Sequence, residues 1–290
     1  MKQFAECLVR SSRVFTCAGL LLLPSATGYP QDRVFNYTYQ SLVLAPGQRE
    51  LEVWNTFRVG KESYFRGFDH RIEFEIGIAK GLQTAFYLNI ASRSFSRMSD
   101  QLSQGPGGIV VVTPVSSMQT ETEFSFSNEW KYKLTDPLAD PFGIALYGEY
   151  SISPTDIELE PKLILDKIVG DVILAFNTAA EFEFEKEIET DGSETTEKEI
   201  KAFLTFSAAL RVADGLHLGV ELVNRNGFSD GMFRYSALFA GPTVSYIHRE
   251  FWINVTLLPQ VTAFKGATQD GLVLNSLERF EARILFSYAW

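Results

Sequence analysis

The sequence predicts an all-β fold: a transmembrane antiparallel up-and-down β-barrel of about 12 strands, preceded by a signal peptide. Three observations support this prediction. A short apolar run follows basic residues near the start, apolar and polar residues alternate along most of the remaining chain, and the chain ends on an amphipathic segment with a terminal aromatic residue. Together they indicate export followed by insertion into an outer membrane.

The first 28 residues have the layout of a cleavable signal peptide. Lys2, Arg10 and Arg13 form a basic region, residues 14–23 form an apolar region, and the small residues 26–28 offer a cleavage site. The alternative is an N-terminal membrane anchor, but the apolar run is about ten residues long and a spanning helix needs roughly 20. The predicted organisation is therefore a signal peptide at 1–28, a periplasmic N-terminal segment at 29–47 and an outer-membrane β-barrel at 48–290.

Composition narrows the class of protein further. Cys7 and Cys17 both lie in the signal segment, so the mature chain has no thiol with which to form a disulfide. The mature chain would have 23 basic and 35 acidic residues, a formal charge of −12, which argues against nucleic acid as a partner. Its 262 residues contain no run of 18 apolar residues, so we expect no spanning helix.

Along the mature chain, apolar residues recur at every second position, which is the period of a β-strand. Ile72, Phe74 and Ile76 share one face of such a run, and charged residues share the other. The predicted strands lie at 48–59, 68–79, 82–95, 118–133, 143–153, 156–167, 170–187, 198–213, 216–226, 233–247, 250–264 and 276–290.

The predicted connections alternate between tight turns and longer loops, as in bacterial outer-membrane barrels. With an even strand count and a periplasmic N-terminus, the tight turns fall on the periplasmic side. Pro161, Pro242 and Pro259 cannot donate to a β-ladder, so we expect bulges or different strand ends there. The tight turns are at 79–82, 166–170, 213–216 and 247–250, and the longer loops are at 96–117, 188–197 and 265–275.

The strands of a soluble β-sandwich or a lipocalin-like barrel also alternate apolar and polar residues, but their apolar face points inward. Strand length and aromatic placement favour the membrane. Many runs reach roughly 10 to 16 residues, whereas strands in globular sheets usually have about 5 or 6. Tyrosine and tryptophan near the ends of runs would form interfacial girdles. These residues are Tyr87, Trp130, Tyr132, Tyr150, Tyr246, Trp252 and Tyr288.

The C-terminus carries Phe286, Tyr288 and Trp290 at alternate positions. This ending resembles the recognition signal by which outer-membrane barrels are handed to the barrel-assembly machinery. We therefore expect the assembly machinery, outer-membrane lipid and lipopolysaccharide as partners, the cell outer membrane as the location, and a monomeric state.

The polar faces of the predicted strands carry many charged side chains that would line the lumen. One interpretation is a lattice of paired charges that fills and stiffens the interior. The other is a water-filled passage whose excess of acid favours cations. The predicted lumen-lining residues are Arg71, Glu73, Glu75, Glu123, Glu129, Glu149, Glu160, Lys162, Glu181, Glu183, Arg211, Glu221, Arg279 and Arg283.

Residues 181–201 form the most acidic stretch and are predicted to be a hairpin that projects beyond the outer leaflet. It is either a solvated extension or a site where divalent cations bridge to lipopolysaccharide phosphates. Residues 105–108 are glycine-rich but lack the lysine of a phosphate-binding loop, which indicates a flexible external loop.

Catalytic options are limited because the chain has three histidines, His70, His217 and His248. His70 shares the predicted lipid face with Phe68 and Ile72, and none of the three has the His-x-Ser spacing of the outer-membrane phospholipase. We expect no enzyme activity, no cofactor and no metal.

Residues 70–89 combine an acidic amphipathic strand, a Gly-x-x-x-Gly-Leu-Gln turn at residues 77–83 and a Tyr-Leu-Asn strand at 87–89. This stretch resembles the opening hairpin of an uncharacterised group of bacterial outer-membrane barrels. Members of that group are often labelled transporters and are similar to barrel proteins associated with phenol meta-cleavage pathways. Where the family often has Thr-Asp before the turn, this chain has Ala79-Lys80. The resemblance implies a barrel without an established substrate, and it brings no catalytic residues.

The sequence thus predicts a passive pore or uptake channel for an unknown small solute. The alternative is a structural or surface-interaction barrel with an occluded, salt-bridged lumen and acidic extracellular loops.

Overall fold

A computed structural model describes residues 33–104, 110–188 and 194–290. The predicted signal peptide, residues 29–32, the glycine-rich loop and the tip of the acidic hairpin at 189–193 lie outside the described residues. None of the described residues belongs to a helix long and apolar enough to cross a membrane.

Within these ranges the chain forms twelve antiparallel strands that close into a barrel, and this confirms the predicted fold. Each strand pairs with its sequence neighbours, and the first pairs with the last, so that no edge remains open. The strands are β1 Arg49–Val59, β2 Phe65–Ala79, β3 Leu82–Gln104, β4 Val110–Thr135, β5 Gly143–Ile152, β6 Asp156–Val169, β7 Val172–Ile188, β8 Glu194–Ala213, β9 Leu216–Ser229, β10 Met232–His248, β11 Phe251–Lys265 and β12 Phe280–Ala289.

The outer face of the barrel is apolar, because the residues that alternate with buried polar ones point away from the lumen. Leu88 and Phe124 are each 61% exposed, and their neighbours on the same face are also large and apolar. Such a surface, on a barrel that satisfies its own backbone hydrogen bonds, suits the hydrocarbon of a bilayer and not water. The barrel is therefore of the transmembrane, outer-membrane type.

Two of the seven residues predicted to form interfacial girdles lie inside the barrel instead. Tyr87 and Trp252 are both fully buried, and the Trp252 Nε1 donates to Glu50 at 2.7 Å. Their register places them on the inner face of β3 and β11, where a polar ring atom finds a buried partner. The other five, Trp130, Tyr132, Tyr150, Tyr246 and Tyr288, are exposed on the outer face.

The barrel has a turn end, where both Arg49 and Trp290 lie, and an opposite loop end. The predicted contrast in connection length holds only partly. The turn end includes the seven-residue connection 136–142, and the loop end includes the two-residue turn 230–231. Much of the predicted loop at 96–117 is strand, since β3 and β4 pair as far as Gln104 and Val110.

The C-terminal strand closes the barrel against β1. Phe286 and Tyr288 are exposed on the outer face, and the Trp290 backbone exchanges hydrogen bonds with Arg49 at 2.9 and 3.2 Å. Recognition of these residues by the assembly machinery stays a prediction.

The three prolines lie within strands, and none marks a strand end. Pro161 keeps its register with β5, while its ladder with β7 is interrupted without a shift. Pro242 on β10 and Pro259 on β11 lie in a gap of the β10–β11 ladder, where the two strands do not pair. Neither proline therefore interrupts a continuous β10–β11 ladder. The register shifts of β10 lie elsewhere, between residues 233 and 235 against β9 and between residues 236 and 239 against β11.

The N-terminal segment differs most from its prediction. Residues 33–44, which we call the plug, lie inside the barrel and not in the periplasm: Val34, Phe35 and Leu44 are at most 1% exposed. Val34 and Phe35 pack against the inner faces of β7 and β8. The segment enters the lumen because its apolar side chains are buried there and its backbone finds polar partners on the wall.

The connection between β11 and β12 also turns inward. Val273 is fully buried and donates its N–H to Gln260 at 2.6 Å, while Leu277 packs into a cluster with Phe239 and Leu258. The predicted strand at 276–290 therefore begins later, at Phe280, because residues 272–278 fold into the lumen.

Candidate functional site: a plugged lumen with a charged vestibule

The plug is anchored by one carboxylate on the barrel wall. Glu221 on β9 accepts hydrogen bonds from three consecutive backbone N–H groups, those of Asn36 at 2.9 Å, Tyr37 at 2.8 Å and Thr38 at 3.2 Å. The Thr256 hydroxyl donates to the same carboxylate at 2.7 Å. Successive N–H groups that point to one anion form a backbone nest, so the buried charge of Glu221 is satisfied by the plug itself.

Other wall side chains complete the docking of the plug. Asn177 on β7 accepts from the Tyr39 N–H at 2.6 Å and donates to the Tyr39 carbonyl at 2.9 Å. Asn254 on β11 donates to the Arg33 carbonyl at 2.8 Å. An irregular buried segment needs such partners, because no neighbouring strand supplies them. The plug is therefore held by side chains and not by strand pairing.

The motif that carried the family resemblance lies where the plug leaves the lumen. A Cβ atom on Gly77 would come within 2.1 Å of the Ala45 carbonyl oxygen, so only glycine fits under the passing chain. Gln83 accepts from the Leu44 N–H at 2.9 Å. Gly81 has a φ of +79°, as its two-residue turn requires. Residues 77–83 thus form a turn and also support the end of the plug.

Above the plug, toward the loop end, lies a cavity of about 750 Å³ that we call the vestibule. Tyr37 and Tyr39 of the plug contribute to its lining. The vestibule wall carries eight Arg or Lys and seven Asp or Glu side chains, so the acid excess expected for the lumen does not extend to it. These residues are Arg58, Lys61, Arg71, Arg93, Lys162, Lys201, Arg225 and Arg283, and Asp69, Glu149, Glu158, Glu160, Glu181, Glu199 and Glu278.

Most vestibule charges are paired. Arg225 contacts Glu278 at 2.7 Å and Glu281 at 2.6 Å, and Arg58 contacts Glu281 at 3.1 Å. Across the barrel, Lys201 bridges two carboxylates of the acidic hairpin, which fixes the base of that hairpin. Pairing of this kind is what makes charge burial tolerable in a narrow lumen.

The acid excess lies deeper, between the plug and the turn end. Glu73, Glu75 and Glu129 are all nearly fully buried there, together with Glu50 and Glu52. Arg33 of the plug lies 4.0 Å from Glu52, and Gln83 donates to Glu75 at 3.1 Å.

The structure places the fourteen predicted lumen-lining residues in five groups. Arg71, Glu149, Glu160, Lys162, Glu181 and Arg283 line the vestibule, while Glu73, Glu75 and Glu129 lie beneath the plug and Glu221 anchors it. Glu123 and Glu183 lie toward the loop end, paired with Arg93 and Lys201.

The last two, Arg211 and Arg279, do not line the lumen. Arg211 is 56% exposed at the turn end, pairs with Asp171 and sits beside a register shift. Arg279 precedes β12 and pairs with Asp270 of the preceding loop. Both lie at strand ends, where alternation no longer fixes the direction of a side chain.

Sequence reasoning missed the residues that come from irregular segments, above all Tyr37, Tyr39 and Glu278. A dense mixture of aromatic and amide side chains at 35–40 was the available signal. Burial raises the pKa of both Tyr37 and Tyr39, so their hydroxyl groups stay neutral. Burial and the neighbouring Glu281 raise the pKa of Glu278 to about 7.

Comparison with known proteins places the chain in a family. The model of a family of unknown function, DUF6662, matches residues 28–290. The chain belongs to this family. No curated protein is significantly similar to this DUF6662 member in sequence.

Solved structures with the same fold are outer-membrane barrels. The COG4313 outer membrane channel from Pseudomonas putida F1 has 10% identity and a TM-score of 0.58, over 89% of this chain and 100% of that one. The β domain of the Bordetella autotransporter BrkA has 8% identity and a TM-score of 0.50, over 85% and 100%. The NanC porin has 11% identity and a TM-score of 0.48, over 82% and 98%.

These likenesses concern the fold alone. With the apolar outer face, the likenesses to the COG4313 channel and the BrkA β domain confirm an outer-membrane barrel, located in the cell outer membrane, and the family match places it in a family of unknown function. The link to phenol meta-cleavage pathways stays a prediction.

Proposed function

We propose that this protein is an outer-membrane uptake channel for a small solute, gated by the plug. The observation that carries the proposal is the vestibule of about 750 Å³ that ends on a segment held by side chains of the barrel wall. Pockets that hold small molecules have volumes of roughly 300 to 1,000 Å³. A solute that entered from the loop end would meet the plug as the floor of its path.

The manner of docking supports a movable plug. Every strand of the barrel finds its backbone partners in neighbouring strands, including the β1–β12 closure. Residues 33–44 contribute nothing to that ladder and are tied to it by a small set of wall residues, chiefly Glu221 and Asn177. The plug can therefore leave the lumen without breaking the barrel.

The second candidate is a structural barrel whose lumen stays occluded. The burial of Val34 and Phe35 and the pairing of Arg225 with two carboxylates favour it, since both stiffen the interior. The two candidates predict different behaviour once the plug is removed.

Single-channel conductance in planar bilayers separates them. We would compare the protein starting at residue 29 with a deletion of residues 33–44 and with a variant that carries a glycine-serine sequence of equal length there. The proposal expects rare openings in the unmodified protein and long-lived openings in both variants. Glu123→Ala is the control and should behave as the unmodified protein, because Glu123 pairs with Arg93 near the loop end.

Folding of each variant is verified by heat-modifiable migration in gels. If the well-folded deletion and replacement variants show no conductance steps, the channel proposal is wrong and the occluded barrel remains.

A further inference from the structure

Two arginines of the vestibule lining lie close to the same tryptophan ring, near the plug. Arg71 on β2 and Arg283 on β12 both line the cavity, and their guanidinium carbons lie 5.3 and 5.2 Å from the centre of the same Trp54 ring. Arg283 also lies over the Tyr37 ring at 4.1 Å. Aromatic faces hold cations in place without neutralising them.

These two arginines are less closely paired than the vestibule cations Arg58, Arg225 and Lys201. Among the described residues, Arg283 bonds only to neutral groups: Nε donates to the Thr56 hydroxyl at 2.9 Å, and Nη1 donates to the Asn36 carbonyl at 3.2 Å. Arg71 donates to the Asn89 amide oxygen at 2.7 Å, and its nearest carboxylate, on Glu149, is 3.8 Å away. Arg58, Arg225 and Lys201 each have a carboxylate within 3.1 Å.

The vestibule acids compensate this charge only in part: Glu149 forms a long ion pair with Arg71 at 3.8 Å, and Arg283 has no ion pair among the described residues. Glu149 accepts a hydrogen bond from the Tyr147 hydroxyl at 2.5 Å, and Glu160 is paired with Lys162 at 2.7 Å. Glu158 and Glu199 belong to β6 and β8, which lie across the closed barrel from β12, β1 and β2. The floor between β12 and β2 therefore keeps a positive charge at Arg283 and a loosely paired one at Arg71.

We propose that the vestibule floor binds a small organic carboxylate through Arg71 and Arg283. Each guanidinium keeps at least one terminal nitrogen without a hydrogen-bond partner among the described residues, and a carboxylate accepts such donors in a planar, paired geometry. The claim that this carboxylate is the transported solute rests on the proposed channel function. The claim that the vestibule floor binds it does not.

Isothermal titration calorimetry on the mature protein in detergent tests the site with succinate as the probe. Its neutral diamide, succinamide, has the same skeleton without the charges. We expect saturable binding of succinate and none of succinamide. Arg71→Gln and Arg283→Gln should each weaken succinate binding by about tenfold or more, since each removes charged hydrogen bonds to the ligand.

A control variant and a comparison of the two arginine variants separate ligand binding from other effects. Arg211→Gln, at the exposed turn end, is the matched control and should leave binding unchanged. Arg283 also donates to the plug backbone, so Arg71→Gln, which removes no hydrogen bond to the plug, separates ligand binding from plug docking.

The proposal is overturned if the unmodified protein fails to bind succinate, if it binds succinamide equally well, or if folded Arg71→Gln binds succinate as the unmodified protein does. Calorimetry requires no transport. Conductance without succinate binding would therefore refute only the site, and succinate binding without conductance would refute only the channel.

Discussion

Replacing Glu221 by alanine should release the plug from the barrel wall. The carboxylate of Glu221 is fully buried and receives the N–H groups of Asn36, Tyr37 and Thr38 at 2.8 to 3.2 Å. Alanine offers no acceptor, and the strand ladder has none to spare for these groups. The variant leaves three buried donors unsatisfied while the barrel itself stays closed.

The size of the effect follows from the number of bonds lost. Each buried N–H left without a partner costs about 1 to 3 kcal/mol, so the low end of that range gives about 3 kcal/mol for the three groups together. Since about 1.4 kcal/mol corresponds to a factor of ten, the undocked fraction of the plug should rise on the order of a hundredfold. Glu221→Gln keeps one acceptor oxygen and should have a smaller effect, on the order of tenfold.

Cysteine labelling measures the undocked fraction directly. The predicted mature chain has no cysteine, so Ser41→Cys places one thiol on the plug at a position that is fully buried when docked. The rate of modification by a maleimide-polyethylene glycol reports how often the plug leaves the lumen. Glu123→Ala in the same background is the control, because its carboxylate contacts Arg93 and no plug residue.

The reasoning is refuted if folded Glu221→Ala labels at the same rate as its parent. That result would mean that the packing of the plug, and not the bonds to Glu221, decides its docking. Single-channel recordings of the same variants should follow the labelling rates in order.

Three further predictions concern the supports of the lumen. Gly77→Ala places a methyl group 2.1 Å from the Ala45 carbonyl oxygen, where the chain leaves the plug. It should lower the free energy of unfolding by about 1 to 3 kcal/mol, measured with denaturant in detergent. Arg225→Ala leaves Glu278 and Glu281 without their closest cation and should lower the free energy of unfolding by about 3 to 5 kcal/mol in the same assay. Arg225→Lys should have a stability between those of the unmodified protein and Arg225→Ala. Equal stability of all three proteins would contradict this prediction. The pKa of Glu278 is raised to about 7, so the folded state holds this proton more tightly than the unfolded state does. The stabilisation of the folded state by protonated Glu278 is on the order of 3 kcal/mol; it is complete below about pH 4.5 and is lost as the pH rises through 7. Glu278→Gln should flatten that pH dependence and the exposed Glu62→Gln should not, whereas an unchanged slope in Glu278→Gln would refute the assignment.

The barrel could be predicted because its signal is local. Side chains on a strand alternate between two faces whatever lies elsewhere in the chain, so runs such as 71–79 and 120–133 reveal a lipid face and a lumen face directly. For the same reason most predicted lumen residues on strand interiors, such as Glu73 and Lys162, do point inward.

Errors concentrated where alternation stops. Arg211 and Arg279 lie at strand ends, and Tyr87 and Trp252 were assigned by residue type and not by the parity of their strands. Strand lengths were underestimated at the β3–β4 hairpin, because strands that continue beyond the membrane no longer need an apolar face.

By itself, the sequence determined that this chain closes into a twelve-stranded outer-membrane barrel with a polar interior, since residue periodicity and backbone satisfaction in lipid leave few other solutions. Only the tertiary structure decided what fills that interior. The plug has no periodicity of its own, and its anchor, Glu221, lies 185 residues from Asn36 along the chain. The same holds for Arg71 and Arg283, which come together only because β12 and β2 both neighbour β1 in the closed sheet. Such contacts form only when the barrel closes, so the alternation of neighbouring residues in the sequence cannot predict them.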